Sequence, residues 1–196
     1  MTEGFYLLKI QLQFIKPEIW RRFVVPADIT LDRLHDVIQI VMGWEDCHLH
    51  EFTIGKKRYT EYPESPEDGL PCGKYRLGDL ARQKGSTFQY LYDFGDSWEH
   101  ELTLEDNNYF SSTRNNVLSC LDGENACPPE DVGGVPGFEE FCKAINNPKH
   151  KEHKSSMEWY GQSYNRKLFN LHLVNWLLLN YFRWSRDRHL KWGWNE

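Results

Sequence analysis

Polar and apolar residues alternate over residues 5–15. Tyr6, Leu8, Ile10, Leu12 and Phe14 fall on one side, Lys9, Gln11 and Gln13 on the other, which is the pattern of a half-buried strand. Lys16-Pro17-Glu18 turns the chain, and residues 19–25 close a hairpin that Pro26 ends. Leu31, Leu34, Ile38, Val41 and Met42 then recur at helical spacing. Thr30 stands at the N-cap position, Asp32 in the first turn where the helix dipole favours an acid, and Gly43 at the C-cap. Residues 49–54 form a strand, Gly55-Lys56-Lys57 turns it back towards Arg58-Tyr59, and residues 61–74 read as a mobile, acidic, Pro-rich loop. A short helical turn covers residues 77–83.

The clearest hairpin follows. Phe88, Tyr90, Tyr92 and Phe94 share one face, and Trp98, His100, Leu102 and Leu104 share a face of the next strand. A three-residue loop, Gly95-Asp96-Ser97, sets Phe94 opposite Trp98 and Tyr92 opposite His100. It keeps apolar residues on one face, where a two-residue loop does not. Such a His100 is at least half buried, with His50 or Glu51 as hydrogen-bond partners. Residues 107–116 are a polar loop, 117–121 a last short strand and 122–137 a loop rich in Asp, Glu, Pro and Gly. Helices follow at 138–145, 150–159 and 170–184. The last is apolar nearly all round, hence buried or covered by a partner.

The order predicts an α+β protein, with a mixed, mostly antiparallel sheet and helices gathered toward the C-terminal end. Its ββαββ start is β-grasp-like. One domain spans residues 1–196: a β-rich part over about 5–121, then the long loop and C-terminal helices over about 122–196. With 40% hydrophobic residues and 29 aromatic rings the chain is neither disordered nor fibrous.

Net charge is -6, unevenly placed. Residues 1–147 hold 14 Lys and Arg against 25 Asp and Glu, and residues 148–196 hold 9 against 4. The acidic body argues against nucleic-acid binding, whereas the basic end, with Arg183, Arg186, Arg188 and Lys191 beside Trp184, Trp192 and Trp194, is the candidate for an anionic surface or an acidic partner. Five cysteines without a CxxC pair are not a disulfide framework. Met1-Thr2-Glu3-Gly4 opens no signal peptide, so the expected location is the cytoplasm with reduced thiols. The greasiest stretch, residues 168–184, is broken by Asn170, His172, Asn175, Asn180 and Arg183 and cannot span a bilayer, so no membrane partner is expected.

Several segments together point to a family. They are Ile19-Trp20-Arg21-Arg22, Leu34-His35, Gly43-Trp44, His48-Leu49-His50-Glu51-Phe52, the run from Tyr92 to His100, Cys120 with Gly123, and Pro128-Pro129-Glu130-Asp131-Val132-Gly133-Gly134. The chain resembles the plasmid pRiA4b ORF-3-like family, some of whose members are labelled insertion-element passenger, TnpR-like proteins. The resemblance runs from about Tyr6 to about Trp184. It implies an association with mobile elements by genetic neighbourhood and no resolvase activity, because no nucleophilic serine in an arginine-rich setting is present.

The side chains with chemistry are few. His48 and His50, two apart on a strand, face one side and suit a metal ion. Asp93, Asp96 and His100 surround the hairpin turn, and together these five are the candidate metal residues. His35, on the apolar side of the first helix, Glu51, Cys120, Glu130 and Asp131 make a second polar cluster. The plain alternative is that a His on an apolar face only holds a hydrogen bond, and that Asp96 caps its turn. The spacing matches neither HExxH nor paired CxxC. Asp93-Phe94-Gly95 is not a kinase motif inside a hairpin, and the glycines at 133, 134 and 137 lack a phosphate-loop pattern. No cofactor is identified, and a divalent metal is the one candidate. The leading functional reading is a cytoplasmic, non-enzymatic binding or interaction protein with an unknown protein partner. A metal-dependent hydrolase or nuclease using the His/Asp cluster is the alternative, and a DNA-associated accessory factor the third.

Overall fold

The computed structural model describes residues 4–110 and 118–184. The alternation of residues 5–15 becomes β1 (Phe5–Leu12), paired with β2 (Ile19–Pro26), but Phe14, expected on the inward side, lies past the strand end at φ 62 and is exposed. The helical repeat becomes α1 (Leu31–Met42). β3 (His50–Ile54), β4 (Lys57–Thr60), the two-residue β5 (Leu70–Pro71), a 3-10 turn at Cys72–Lys74 and α2 (Leu77–Leu80) follow. Next come β6 (Thr87–Tyr92), β7 (Trp98–Asp106), β8 (Ser119–Glu124), α3 (Gly134–Ile145), α4 (His153–Tyr160) and α5 (Leu171–Trp184). The fold is α+β as expected. One eight-stranded sheet runs β5-β4-β3-β6-β7-β1-β2-β8, antiparallel throughout except between β4 and β5. No helix among the described residues is long and apolar enough to cross a membrane.

One face of the sheet is apolar because of the period of two. Leu8, Ile10, Phe23, Phe52, Tyr90 and Leu102 share a single core with Leu34, Val37, Ile38 and Val41 of α1. Gly43, at φ 101, ends α1 by donating its N–H to the Gln39 carbonyl at 2.8 Å, the glycine C-cap that the sequence announces. Thr30 occupies the N-cap position, but its hydroxyl makes no capping bond.

The hairpin differs from the expectation by two residues. Tyr92 pairs with Trp98 and Tyr90 with His100, so residues 93–97 all lie in the turn and Phe94 is 50% exposed. Asp93 and Ser97 take left-handed φ of 55 and 54. The Ser97 N–H donates to the Asp93 carbonyl at 2.7 Å, and Gly95 N–H donates to Asp93 Oδ1 at 2.9 Å. A shift of two leaves the same faces inward, so the apolar pattern alone does not distinguish the two registers.

Arg21 lies within the core. Its guanidinium donates to the carbonyls of Val41 (2.8 Å), Trp20 (2.8 Å), Glu124 (2.7 Å) and Asn125 (2.8 Å), and it stacks 4.1 Å from the centre of the Phe169 ring. It thereby ties the end of α1 to the end of β8. Gly123 makes room for it: a Cβ there would stand 2.7 Å from Arg21 Cδ and 2.8 Å from the Trp20 carbonyl.

β8 is an edge strand, and exposed strand edges invite wrong pairing. Asn175 of α5 covers it like a further strand: its Oδ1 accepts from Cys120 N–H at 2.9 Å while its Nδ2 donates to the Cys120 carbonyl at 2.9 Å. Tyr181 of α5 donates to the Asp36 carboxylate of α1 and accepts from Arg33 at 3.1 Å. Of the two expectations for α5, buried or covered by a partner, burial within this chain holds on one side only. Leu178 is buried, whereas Leu173, Leu177, Leu179 and Trp176, the last 60% exposed, face outward. An apolar helix laid along a sheet edge has only one side to bury. The basic stretch at residues 185–196 and part of the polar loop, 111–117, lie outside the described residues.

Candidate functional site

The loop from Gly43 to Leu49, between α1 and β3, carries three polar side chains and is held from several directions. Gln39 Oε1 accepts from Asp46 N–H at 2.9 Å, Tyr92 Oη accepts from Cys47 N–H at 3.1 Å, and Glu130 Oε1 accepts from Glu45 N–H at 2.7 Å. Beneath it runs a buried relay. Tyr90 Oη accepts from Gln39 Nε2 and bonds His35 Nδ1, both at 2.8 Å, and His35 Nε2 reaches Asp46 Oδ1 at 2.8 Å. A His35 that accepts from the Tyr90 hydroxyl at Nδ1 and donates to Asp46 from Nε2 satisfies every member of the relay.

His48 is thereby aimed at three carboxylates. Its Nε2 lies 3.1 Å from Asp131 Oδ1, 3.7 Å from Asp93 Oδ2 and 3.8 Å from Glu130 Oε2. Among the described residues neither His48 Nε2 nor Glu130 Oε2 has a hydrogen-bond partner, although both atoms are shielded from solvent. The ligand atoms of His48, Asp93 and Asp131 all lie within 4.8 Å of one another, and those of Cys47, His48 and Glu130 form a second such set. Atoms bound to one ion at 2.0–2.2 Å stand about 3 to 3.5 Å apart, so the first set needs little movement to close on a cation. Asp46, Asp93 and Asp131 have φ of 56, 55 and 55, left-handed conformations that Asp tolerates better than most residues and that gather here at the cluster.

Burial raises the pKa of Glu130, against the opposing pull of the Glu45 N–H and Tyr92 hydroxyl bonds. Burial likewise raises Cys47 and Tyr92, which keeps the thiol and the phenol protonated. The Cys47 set is therefore the poorer one for a cation.

Of the five candidate metal residues, the structure brings together His48 and Asp93. Asp96 accepts from Gly133 N–H at 3.0 Å and so fastens the loop that bears Glu130 and Asp131. His50 stacks on His35, ring centres 3.6 Å apart and 8° from parallel, in the core under α1. His48 precedes β3 instead of lying in it, so the two-residue alternation does not carry it to the side of His50. His100 is 0% exposed, as buried as the sequence implies, but its partners are the Tyr90 carbonyl at 3.2 Å and Trp44 Nε1 at 3.4 Å, not His50 or Glu51. Desolvation pushes His50 down to about 3 and His100 down to about 4. From the second cluster, Glu130 and Asp131 join the site. His35 supports it through Asp46. Glu51 pairs instead with Arg58 at 3.2 Å, and Cys120 lies under Asn175 with its thiol raised by burial to about 11. Asp46 and Tyr92 gave no signal of their role in the sequence, because both act through partners distant in the chain.

Gly137 seats the Glu130 loop on α3. A Cβ at this position would lie 2.0 Å from the Val132 carbonyl oxygen. Gly137→Ala is expected to cost about 3 kcal/mol, read as a fall of roughly 10 °C in melting temperature. A fall of under a few degrees would show that the loop gives way freely.

The fold is an α+β sheet, with a His–carboxylate cluster at one end of its central hairpin. The sequence model described as "Plasmid pRiA4b ORF-3-like protein" matches residues 4–173, and the chain belongs to that family. It is 39% identical over 165 residues to the uncharacterized protein y4hQ of Sinorhizobium fredii (strain NBRC 101917 / NGR234), covering 83% of this chain and 84% of that one. It is also similar to the crystal structure of a protein of unknown function, MM3350, from Methanosarcina mazei Go1. That likeness has a TM-score of 0.78 and 32% identity, over 87% of this chain and 97% of the other.

Proposed function

We propose that the protein binds a divalent transition-metal ion through His48, Asp93 and Asp131. One observation carries this reading: a histidine nitrogen with no hydrogen-bond partner faces three carboxylates at 3.1 to 3.8 Å, one of them also with a partnerless oxygen. Buried polar atoms are normally satisfied, and an ion held by His48, Asp93 and Asp131 supplies what the His48 nitrogen lacks, with the free Glu130 oxygen beside it. One imidazole and hard carboxylate oxygens suit Zn²⁺ or Mn²⁺ better than a soft cation. This reading takes up the His/Asp cluster of the second function that the sequence suggests, the metal-dependent one. The protein's five cysteines are free, which supports a reducing cytoplasm. The family's description supports a link with plasmids.

Titration calorimetry of untagged, chelator-treated protein with Zn²⁺ and with Mn²⁺ tests the proposal. The expected result is about one ion per chain, with affinity lowered about 100-fold or more in His48→Ala and in Asp93→Asn. Binding of less than about 0.1 ion per chain, or affinity unchanged in both variants, overturns it.

A further inference from the structure

We infer that this site is hydrolytic, with Glu130 as the group that takes the proton from a water on the ion, and that its substrates are carboxylic esters or amides. The inference rests on the proposed ion at His48, Asp93 and Asp131. Three protein ligands leave a coordination position open, which is the arrangement of catalytic rather than structural ion sites.

Glu130 is placed beside that triad. Its ligand oxygen groups with Cys47 and His48, not with Asp93 and Asp131, so it stands next to the ion instead of completing its shell. One carboxylate oxygen is fixed by Glu45 N–H at 2.7 Å and the Tyr92 hydroxyl at 3.0 Å. The other, without a partner, faces His48 Nε2. A base held on one oxygen and free on the other is oriented for a proton transfer.

The charge selects the substrate. Two carboxylate ligands and Glu130 outweigh a divalent cation, and among the described residues no Lys or Arg pairs with Asp93, Glu130 or Asp131, which face His48. Phosphoryl-transfer sites surround their substrate with such cations, whereas this site repels a phosphate anion. A cleft of about 400 Å³ begins at Asp131 and runs between α3 and α4, walled by Val132, Phe141 and Trp159 with Glu140 and Glu152 at its sides. Among the described residues no Lys or Arg lines it, and its aromatic walls fit an apolar acyl or leaving group.

In the step, water gives a proton to Glu130 Oε2 and its oxygen bonds to the substrate carbonyl carbon. The ion polarises that carbonyl. The bond to the leaving oxygen or nitrogen breaks with its electron pair, and the leaving group takes the proton from Glu130. The products are a carboxylic acid and an alcohol or amine, with no change of oxidation state.

The test uses the full chain saturated with Zn²⁺ or Mn²⁺, with p-nitrophenyl acetate, p-nitrophenyl butyrate and p-nitrophenyl phosphate as probes. Expected are ion-dependent hydrolysis of the two carboxylic esters, a loss of about 100-fold in Glu130→Gln at equal ion occupancy, and no hydrolysis of the phosphate. Trp159→Ala is expected to raise KM for the butyrate more than for the acetate, with ion affinity unchanged. Ion-loaded protein that hydrolyses the esters no faster than ion-free protein overturns the inference while the ion-binding reading stands. So does a Glu130→Gln variant as fast as the unaltered protein, or a phosphate cleaved faster than the esters. A chain that takes up no ion removes the ion-binding reading and this inference together.

Discussion

Arg21→Met is expected to lower the unfolding free energy by about 4 kcal/mol, close to the whole stability of many domains. Arg21 is only 2% exposed and meets four backbone carbonyls, with no carboxylate among its recorded hydrogen-bond partners. Burial lowers its pKa, yet a guanidinium stays charged in proteins. Hydrogen bonds from a charged donor contribute about 1.5 to 3 kcal/mol each, and each buried acceptor left without a donor costs about 1 to 3. Methionine fills much of the space and supplies none of the donors. Arg21→Lys is expected to recover less than half of the loss, because an ammonium lacks the planar fork that spans Val41 on α1 and Glu124 and Asn125 at the end of β8. Urea unfolding measures both. A cost below about 1 kcal/mol for Arg21→Met would mean that water reaches these carbonyls and that Arg21 is not the tie between helix and sheet edge.

Acid is expected to unfold the protein steeply between about pH 6.5 and pH 4. His50 and His100 are buried with folded pKa values near 3 and 4, well below the roughly 6.5 of an unfolded chain. Between those values the unfolded chain binds protons that the folded one refuses, so stability falls as pH falls. Above pH 6.5 both forms are neutral and the effect vanishes. Each histidine contributes a slope of about 1.4 kcal/mol per pH unit, and the pair about 3. The structural cause is visible at each ring. His50 lies stacked on His35 with its Nδ1 lacking a partner, and His100 is sealed between the Tyr90 carbonyl and the Trp44 indole. His50→Phe keeps a flat ring against His35 and is expected to remove about half of the slope. Urea midpoints taken from pH 7 to pH 4.5 read it directly. A variant whose slope equals that of the unaltered protein would show that His50 already takes up protons in the folded state.

The sequence by itself determined most of the elements and the inward faces of β1, α1 and the central hairpin, though not the places of Phe14 and Phe94. The alternation of Tyr6, Leu8, Ile10 and Leu12, the helical repeat from Leu31 to Met42 and the glycine at position 43 are local signals. Period and propensity act over a few residues and survive without knowledge of the fold. The same logic buried His100, because its neighbours on the face, Trp98, Leu102 and Leu104, are apolar.

Tertiary structure decided the rest. Alternation repeats every two residues and is blind to a shift of two, so the place of Phe94 was settled by the bonds that Asp93 makes within its turn and by its N–H to the Leu49 carbonyl at 3.0 Å. The outward side of α5 follows from which edge it covers, which an all-round apolar pattern does not encode. Arg21 reads as a surface cation until four carbonyls from separate segments converge on it. The His48 cluster is of the same kind. His48, Asp93 and the Glu130-Asp131 pair come from three loops, and each carried its chemistry in its residue type. Their meeting depends on loop closure between distant segments, which strand register, the Asp96 tie to Gly133 and the close approach at Gly137 fix only in the folded chain.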